Sequence, residues 1–278
     1  VHNRSFTLFD RDNRPTADLL TALAALGIGA TTLPDIDDAL QFKFFQKAGQ
    51  KPLERWELKP IDGLPDVATV RSLLSPLGFI TQTEPRKRQY LYAVWPGALL
   101  PRVGVRLQDL IRVWEAGVRW DVTVVHAGKR ALMPDKESPV ISKQLGFTTS
   151  DAITYPTDVQ TEFDQMGWLY RNMSNLPVGL QKTDWQFINC PPNGDKRPST
   201  EDVTRHWLKD QPKPGSLLVS SGAPYGMAQG FAFDLFMSED DGWTIDVFGH
   251  EAPTTLTSEL FCRELAGSVN RLRKIRNV

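Results

Sequence analysis

Four places in this chain combine glycine or small hydroxyl residues with neighbours that can do chemistry. They are Gly97-Ala98, Gly128-Lys129-Arg130, Ser199-Thr200 and Ser220-Ser221-Gly222. Glycine at a strand end lets a ligand approach the backbone closely, and a helix that follows offers its unpaired N–H groups to an anion. Arg102, Arg106, Lys129 and Arg130 would complement such an anion, although turning the chain and coating a helix explain the same residues one junction at a time. The acids Glu137, Glu162 and Asp202 each follow the start of a crossover and would orient polar groups as acid, base or hydrogen-bond acceptor. A carboxylate beside a helix start is also plain electrostatics, which gives Glu162 and Asp202 a second explanation. His126 sits where a general base would be useful, yet a histidine packed into the core fits that position at least as well. Cys190, Cys262 and the histidines show no metal-ligand spacing, so no metal site is expected. The chain has no G-x-G-x-x-G, G-x-x-x-x-G-K-[ST] or G-x-S-x-G motif.

The elements that must position these residues alternate. Residues 90–95 are a continuous apolar run of strand length that ends at Pro96-Gly97. Residues 103–116 place Val103, Leu107, Leu110, Ile111 and Trp114 at helical spacing, with Arg102, Arg106 and Arg112 on the polar side, before Gly117. Residues 122–126 form the next strand, so the three together predict a right-handed parallel βαβ unit. The series continues with a long excursion over 131–156, a helix over 161–173 started by Thr161 and Asp164, and a strand over 185–190. A helix over 201–209 capped by Ser199 or Thr200, a strand over 216–221, a helix near 225–237 and a strand over 243–248 complete it. Upstream, residues 18–29, 35–48 and 67–74 read as helices, and 51–65 as a proline-rich, charged stretch. The expected fold is a three-layer Rossmann-like α/β domain with a mostly parallel sheet over residues 86–278, plus a mostly helical N-terminal extension over 1–85.

Composition removes several functions. With 32 Lys and Arg against 33 Asp and Glu, the net charge is −1, so no global field favours nucleic acid or anionic lipid. A length of 278 residues with 41% hydrophobic content can bury a full core. Two cysteines point to a reducing, cytoplasmic compartment, while a start at Val1 leaves a removed leader or anchor open. The longest apolar stretch, residues 19–28, falls short of the roughly 18 residues a membrane helix needs. The eight tryptophans fall mostly at periodic apolar positions and read as core.

In order and spacing, the junctions between residues 90 and 249 resemble the YdcF, SanA and ElyC-like family of bacterial domains. Gly97-Ala98, Arg106-Leu107 and Gly117 match its first strand, turn and helix, and Glu162 with Met166 is similar to its later Glu and Met. His126-Ala127-Gly128 stands where that family has Ser-Gly-Gly, so one glycine carries over. Ser199-Thr200-Glu201-Asp202-Val203 aligns with Asn-Thr-x-Glu-Asn, keeping the Thr and replacing the Glu by Asp202. After Ser220-Ser221, Tyr225 and Gln229 occupy positions near the family's His and Arg. The resemblance implies a Rossmann-like fold with a polar crevice at the strand ends, and S-adenosylmethionine as a cofactor attributed to the group. Two functions follow as expectations. One is an enzyme or enzyme-derived domain that holds a nucleotide-like or phosphorylated small molecule among Gly97, Ala98, Arg106, Gly128, Arg130, Thr200, Ser220, Ser221, Tyr225 and Gln229, with Glu162 and Asp202 as catalytic acids. The other is a noncatalytic binding or host-interaction protein on a degenerate version of the same fold, as the altered Tyr225 and Gln229 suggest.

Overall fold

Apolar runs without polar alternation suit strands buried on both faces, and that is where this chain puts them. In the computed structural model, which describes residues 7–45, 61–133, 156–172, 175–194 and 196–278, five strands run parallel. They are β1 (Gln89–Pro96), β2 (Arg119–Gly128), β3 (Asp184–Cys190), β4 (Ser216–Ser220) and β5 (Thr244–Phe248). The sheet order is β3-β2-β1-β4-β5, with Trp95 opposite Val125 and Val94 opposite Val219. The chain therefore steps from β1 out to β3 and resumes at β4 on the other side of β1. That makes the β1–β4 boundary the topological switch point of an open α/β sheet.

The helices in chain order are α1 (Ala17–Ala25), α2 (Leu33–Phe45), α3 (Val67–Leu74), α4 (Leu100–Glu115), α5 (Glu162–Asn172), α6 (Val178–Gln181), α7 (Thr200–Leu208), α8 (Gly226–Asp234) and α9 (Ser258–Arg276). The chain divides into two compact units, of which the first comprises Glu84–Ser221 and Ala232–Gly249. On one face of its sheet, Leu107 and Leu110 of α4 and Met166 and Leu169 of α5 share a core with Ala93, Trp95 and Val125. On the other, Val203 and Trp207 of α7 pack with Tyr92, Val94, Val124, Phe233 and Ile245. The result is a three-layer Rossmann-like fold.

Local chemistry sets the helix limits. Pro101 occupies the first turn of α4, where no N–H partner is needed, and Gly117 ends it with φ near +92°, a conformation that disfavours a side chain. Ahead of α5, the Thr161 amide and hydroxyl both donate to Asp164, whose own amide donates back to the Thr161 hydroxyl. Ser199 and Asp202 make the same reciprocal cap for α7.

The second unit draws on His2–Thr83, Gly222–Phe231 and His250–Val278. Its N-terminal segment ends close to the boundary expected at residue 85, but two later segments join it. The reason is α9, which the sequence reading passed over. Phe261, Leu265, Val269 and Leu272 recur at helical intervals along it and pack with Leu19, Leu23, Ile36, Leu40 and Phe44. Thr257 caps its start, and Asp37 of α2, buried, accepts hydrogen bonds from Asn270 and Arg273. Residues 134–155 of the excursion expected over 131–156, Glu137 among them, residues 46–48, most of 51–65 and Met173 lie outside the described residues. Among the described residues, no helix is long and apolar enough to cross a membrane.

Asp246 on β5 ties the last strand to the turn before β1. It accepts from the Arg86 amide at 2.7 Å, from Arg86 Nε at 2.9 Å and from the Tyr90 hydroxyl. Burial, that hydrogen bond and the carboxylate charge together push the Tyr90 phenol well above its usual range. Asp246→Ala leaves these donors without their acceptor and should cost about 3 kcal/mol in urea denaturation. Tyr90→Phe removes a single bond and should cost about 1 kcal/mol in the same experiment.

Candidate functional site

Three ionisable side chains from three separate segments converge on Gly97-Ala98, immediately after β1. Arg106, on the second turn of α4 and 3% exposed, donates from Nη1 to the carbonyls of Pro96 and Gly97 at 3.0 and 2.8 Å. Arg130, just beyond β2, donates from Nη2 to the Ala98 carbonyl at 3.3 Å and from Nε to Glu162 at 3.1 Å. Glu162, the first residue of α5, turns its carboxylate over Gly97 and accepts a long hydrogen bond, 3.4 Å, from the Gly128 amide. Arg130 and Glu162 are both buried, and so is their ion pair.

The approach to Gly97 is close enough to dictate the residue. A Cβ there would lie 2.0 Å from Glu162 Oε1 and 2.6 Å from its carboxyl carbon. The space expected for a ligand at this glycine is thus taken by the protein's own carboxylate. Gly128 is similar, since a Cβ would sit 2.9 Å from the ring of Pro198, the residue before the α7 cap.

Arg106 also reaches across the switch point. Its Nη2 donates to the Ser221 hydroxyl at 3.1 Å, and its backbone carbonyl accepts from the Ser220 hydroxyl at 2.7 Å. Gly97, Ala98, Arg106, Gly128, Arg130, Glu162, Ser220 and Ser221 therefore belong to one buried polar cluster at the carboxyl ends of β1, β2 and β4. The sequence placed Arg106 on the polar side of its helix. In the fold it faces inward, where the strand-end carbonyls and the Ser221 hydroxyl accept from its Nη atoms.

The remaining candidates have other employment. Burial alone would raise the Asp202 carboxyl, but hydrogen bonds from the Ser199 hydroxyl and amide, together with Arg205, hold it below the usual range. It stays ionised as a cap. The Thr200 carbonyl accepts the Thr204 hydroxyl, which leaves that hydroxyl's lone pairs to receive the His126 Nε2 proton at 3.1 Å. His126 is buried beside Phe233, on the α7 face of the sheet. Burial, with the nearby Arg106 charge adding to it, drives its pKa down to about 3, so it stays neutral and serves as a packed core residue. Tyr225 and Gln229 fall in the second unit, where the Gln229 amide donates to the Tyr225 carbonyl. Among the described residues, no group of three His, Cys, Asp or Glu side chains is placed to hold a metal ion.

Two polar residues that the sequence reading missed carry buried polar atoms elsewhere in the same unit. Gln165, three residues after Glu162 on α5, is 0% exposed, and neither its side-chain nitrogen nor its oxygen has a hydrogen-bond partner. The buried Oδ1 of Asn189, on β3, has none either. The sequence signal was the spacing of Glu162, Gln165, Met166 and Leu169, which forms one face of α5 and carries two polar groups into the core.

Gly97→Ala should lower stability by about 2–4 kcal/mol, because Glu162 must leave Gly128 and Arg130 to make room. In a Glu162→Ala background the same change should cost under about 0.5 kcal/mol, a non-additivity that thermal and urea melts of the four proteins would read. His126 predicts a pH dependence. Below about pH 6.5 the unfolded chain takes up a proton that the folded protein refuses, so stability is complete above that value and falls as pH drops toward 3. Between pH 7 and pH 5 the loss should be about 2 kcal/mol, and His126→Gln should remove that part of the slope in urea titrations.

No family model, no curated protein and no solved structure matches this chain.

Proposed function

We propose that the α/β unit binds a small molecule, nucleotide-like or phosphorylated, at the carboxyl ends of β1, β2 and β4. The observation that carries this reading is the convergence of Arg106, Arg130 and Glu162 on Gly97-Ala98, beside the switch point of the sheet. Burying three ionisable groups is costly, and such clusters concentrate at functional sites. Crevices at switch points are also where open α/β sheets take their ligands. In this reading the guanidinium groups of Arg106 and Arg130 supply positive charge and Glu162 sets the orientation of Arg130. The resemblance to YdcF-like domains adds S-adenosylmethionine to the ligands worth testing.

Binding without catalysis is the version the geometry favours. His126 is neutral, buried and directed at Thr204, and Asp202 is bound into a helix cap, so neither offers a proton-transfer group to a ligand at these strand ends. The noncatalytic reading requires that the ligand be recovered unchanged.

A thermal-shift screen over nucleotides, S-adenosylmethionine and sugar phosphates should give at least one compound that raises the melting temperature by several degrees, since ligand at 100 times Kd adds about 2.7 kcal/mol. Arg130→Ala combined with Glu162→Ala, which leaves neither charge without its partner, should lose that shift while remaining folded by circular dichroism. A panel that leaves the melting curve unmoved, or a shift that survives the double variant, would overturn this assignment.

A further inference from the structure

The two outer strands of the sheet are finished differently. At β5, Arg86 Nη2 donates to the Ile245 carbonyl at 2.9 Å and Lys87 Nζ to the Thr244 hydroxyl at 3.2 Å, so charged side chains close that edge. At β3 no such closure exists among the described residues. Successive residues of a strand turn their backbone groups to alternate sides, and the Cys190 carbonyl, which accepts from the Lys129 amide at 2.9 Å, fixes the side that faces β2. Gln186, Ile188 and Cys190 therefore bond toward β2. Trp185, Phe187 and Asn189 direct their N–H and C=O groups outward, where no described residue pairs with them. The usual protections of an edge are missing too. The register with β2 is unbroken from Asp184 to Cys190, with no bulge and no proline, and Asp184 is the strand's one charge. Trp185, Gln186, Phe187 and Asn189 are only half-buried.

Self-complementarity names the partner. We infer that β3 pairs antiparallel with β3 of a second copy of this chain, across a two-fold axis at Phe187, and so joins two sheets into one. In that register Phe187 faces Phe187 and Trp185 faces Asn189. Each opposed pair exchanges both of its backbone bonds, so every outward N–H and C=O on both strands is satisfied. The neighbouring registers fail. A shift one way sets Trp185 opposite Pro191, which has no N–H, and a shift the other way sets Asn189 opposite Thr183, whose amide already donates to the Leu180 carbonyl at 3.2 Å. The side chains agree with the backbone. The two Asp184 carboxylates lie at opposite ends of the pair, each across from Cys190, so no like charges meet. On the α5 face, the half-buried rings of Phe163 and Tyr170, with centroids 6.4 and 5.5 Å from that of Phe187, give the axis an apolar flank. The inference is independent of whether the strand ends bind a ligand.

Sedimentation velocity of the full chain between about 1 and 100 μM tests the inference, and should show a concentration-dependent species of twice the chain mass. Over the same range, hydrogen–deuterium exchange of peptides spanning residues 184–190 should slow, because the outward amides gain partners only in the dimer, while the other strands stay unchanged. Asn189→Pro removes an outward N–H that the β2 ladder does not use. It should raise the dimer's dissociation constant at least about tenfold and leave the circular dichroism spectrum of the folded chain intact. Gln186→Lys serves if the proline variant does not fold. It sets two ammonium groups on one face of the joined sheet, either side of the axis, and should weaken the dimer by a similar factor. A monomer at every concentration, a dimer in which the exchange of residues 184–190 is unchanged, or a dimer that both variants leave at full strength would overturn the pairing.

Discussion

The contact between Glu162 and Gly97 is the constraint on which the carboxyl end of the sheet depends. A carboxylate occupies the volume that any other residue's Cβ would fill, so the Glu162 side chain at the start of α5 can lie over the end of β1 only because residue 97 has no side chain. Taking the Glu162 and Arg130 charges out of water costs several kcal/mol each, and only good geometry offsets it. Arg130 supplies that geometry and uses its remaining nitrogens on the carbonyls of Ala98 and Ala131. The strand end, the turn after β2 and the α5 N-terminus are therefore set by one another.

This alters what the junction glycines mean. In many open sheets such glycines admit the ligand itself, whereas here they admit the chain. Gly97 makes room for Glu162 and Gly128 for Pro198. Within the second unit, Gly222 does the same for His250, whose imidazole and carbonyl would lie 2.6–2.7 Å from an added Cβ. A glycine in a sequence reports close approach to the backbone but not the identity of what approaches.

The sheet was legible because most of its strands are apolar runs, and all five run into glycine, serine or proline at their ends. The caps of α5 and α7 were legible because Thr161/Asp164 and Ser199/Asp202 have the three-residue spacing that the reciprocal bonds demand. The burial of Arg106 was not, because a periodicity that sorts residues into apolar and polar faces must put arginine outside. Its partners are mostly backbone carbonyls and a serine that is 115 residues distant in sequence. Gln165 escaped for the same reason, as an amide on a helix is unremarkable until the face it lies on is known. The composition of the second unit was hidden differently. Its segments are separated by the whole of β1 to β4, and a linear reading looks for boundaries rather than for returns.

That discontinuous unit bears on how the protein is made. The apolar faces of α1 and α2 leave the ribosome long before the partners they pack against in the folded unit, Phe261, Leu265 and Val269, since α2 ends at Phe45 and α9 begins at Ser258. At translation rates of roughly 5–20 residues per second, those faces wait about ten seconds or more for α9. The α/β unit has all of its strands by residue 248 and need not wait for α9. During synthesis the apolar faces of α1 and α2 are thus the surface that a holdase chaperone has most reason to shield, although in the folded unit Leu19, Leu23, Ile36 and Leu40 on them are fully buried.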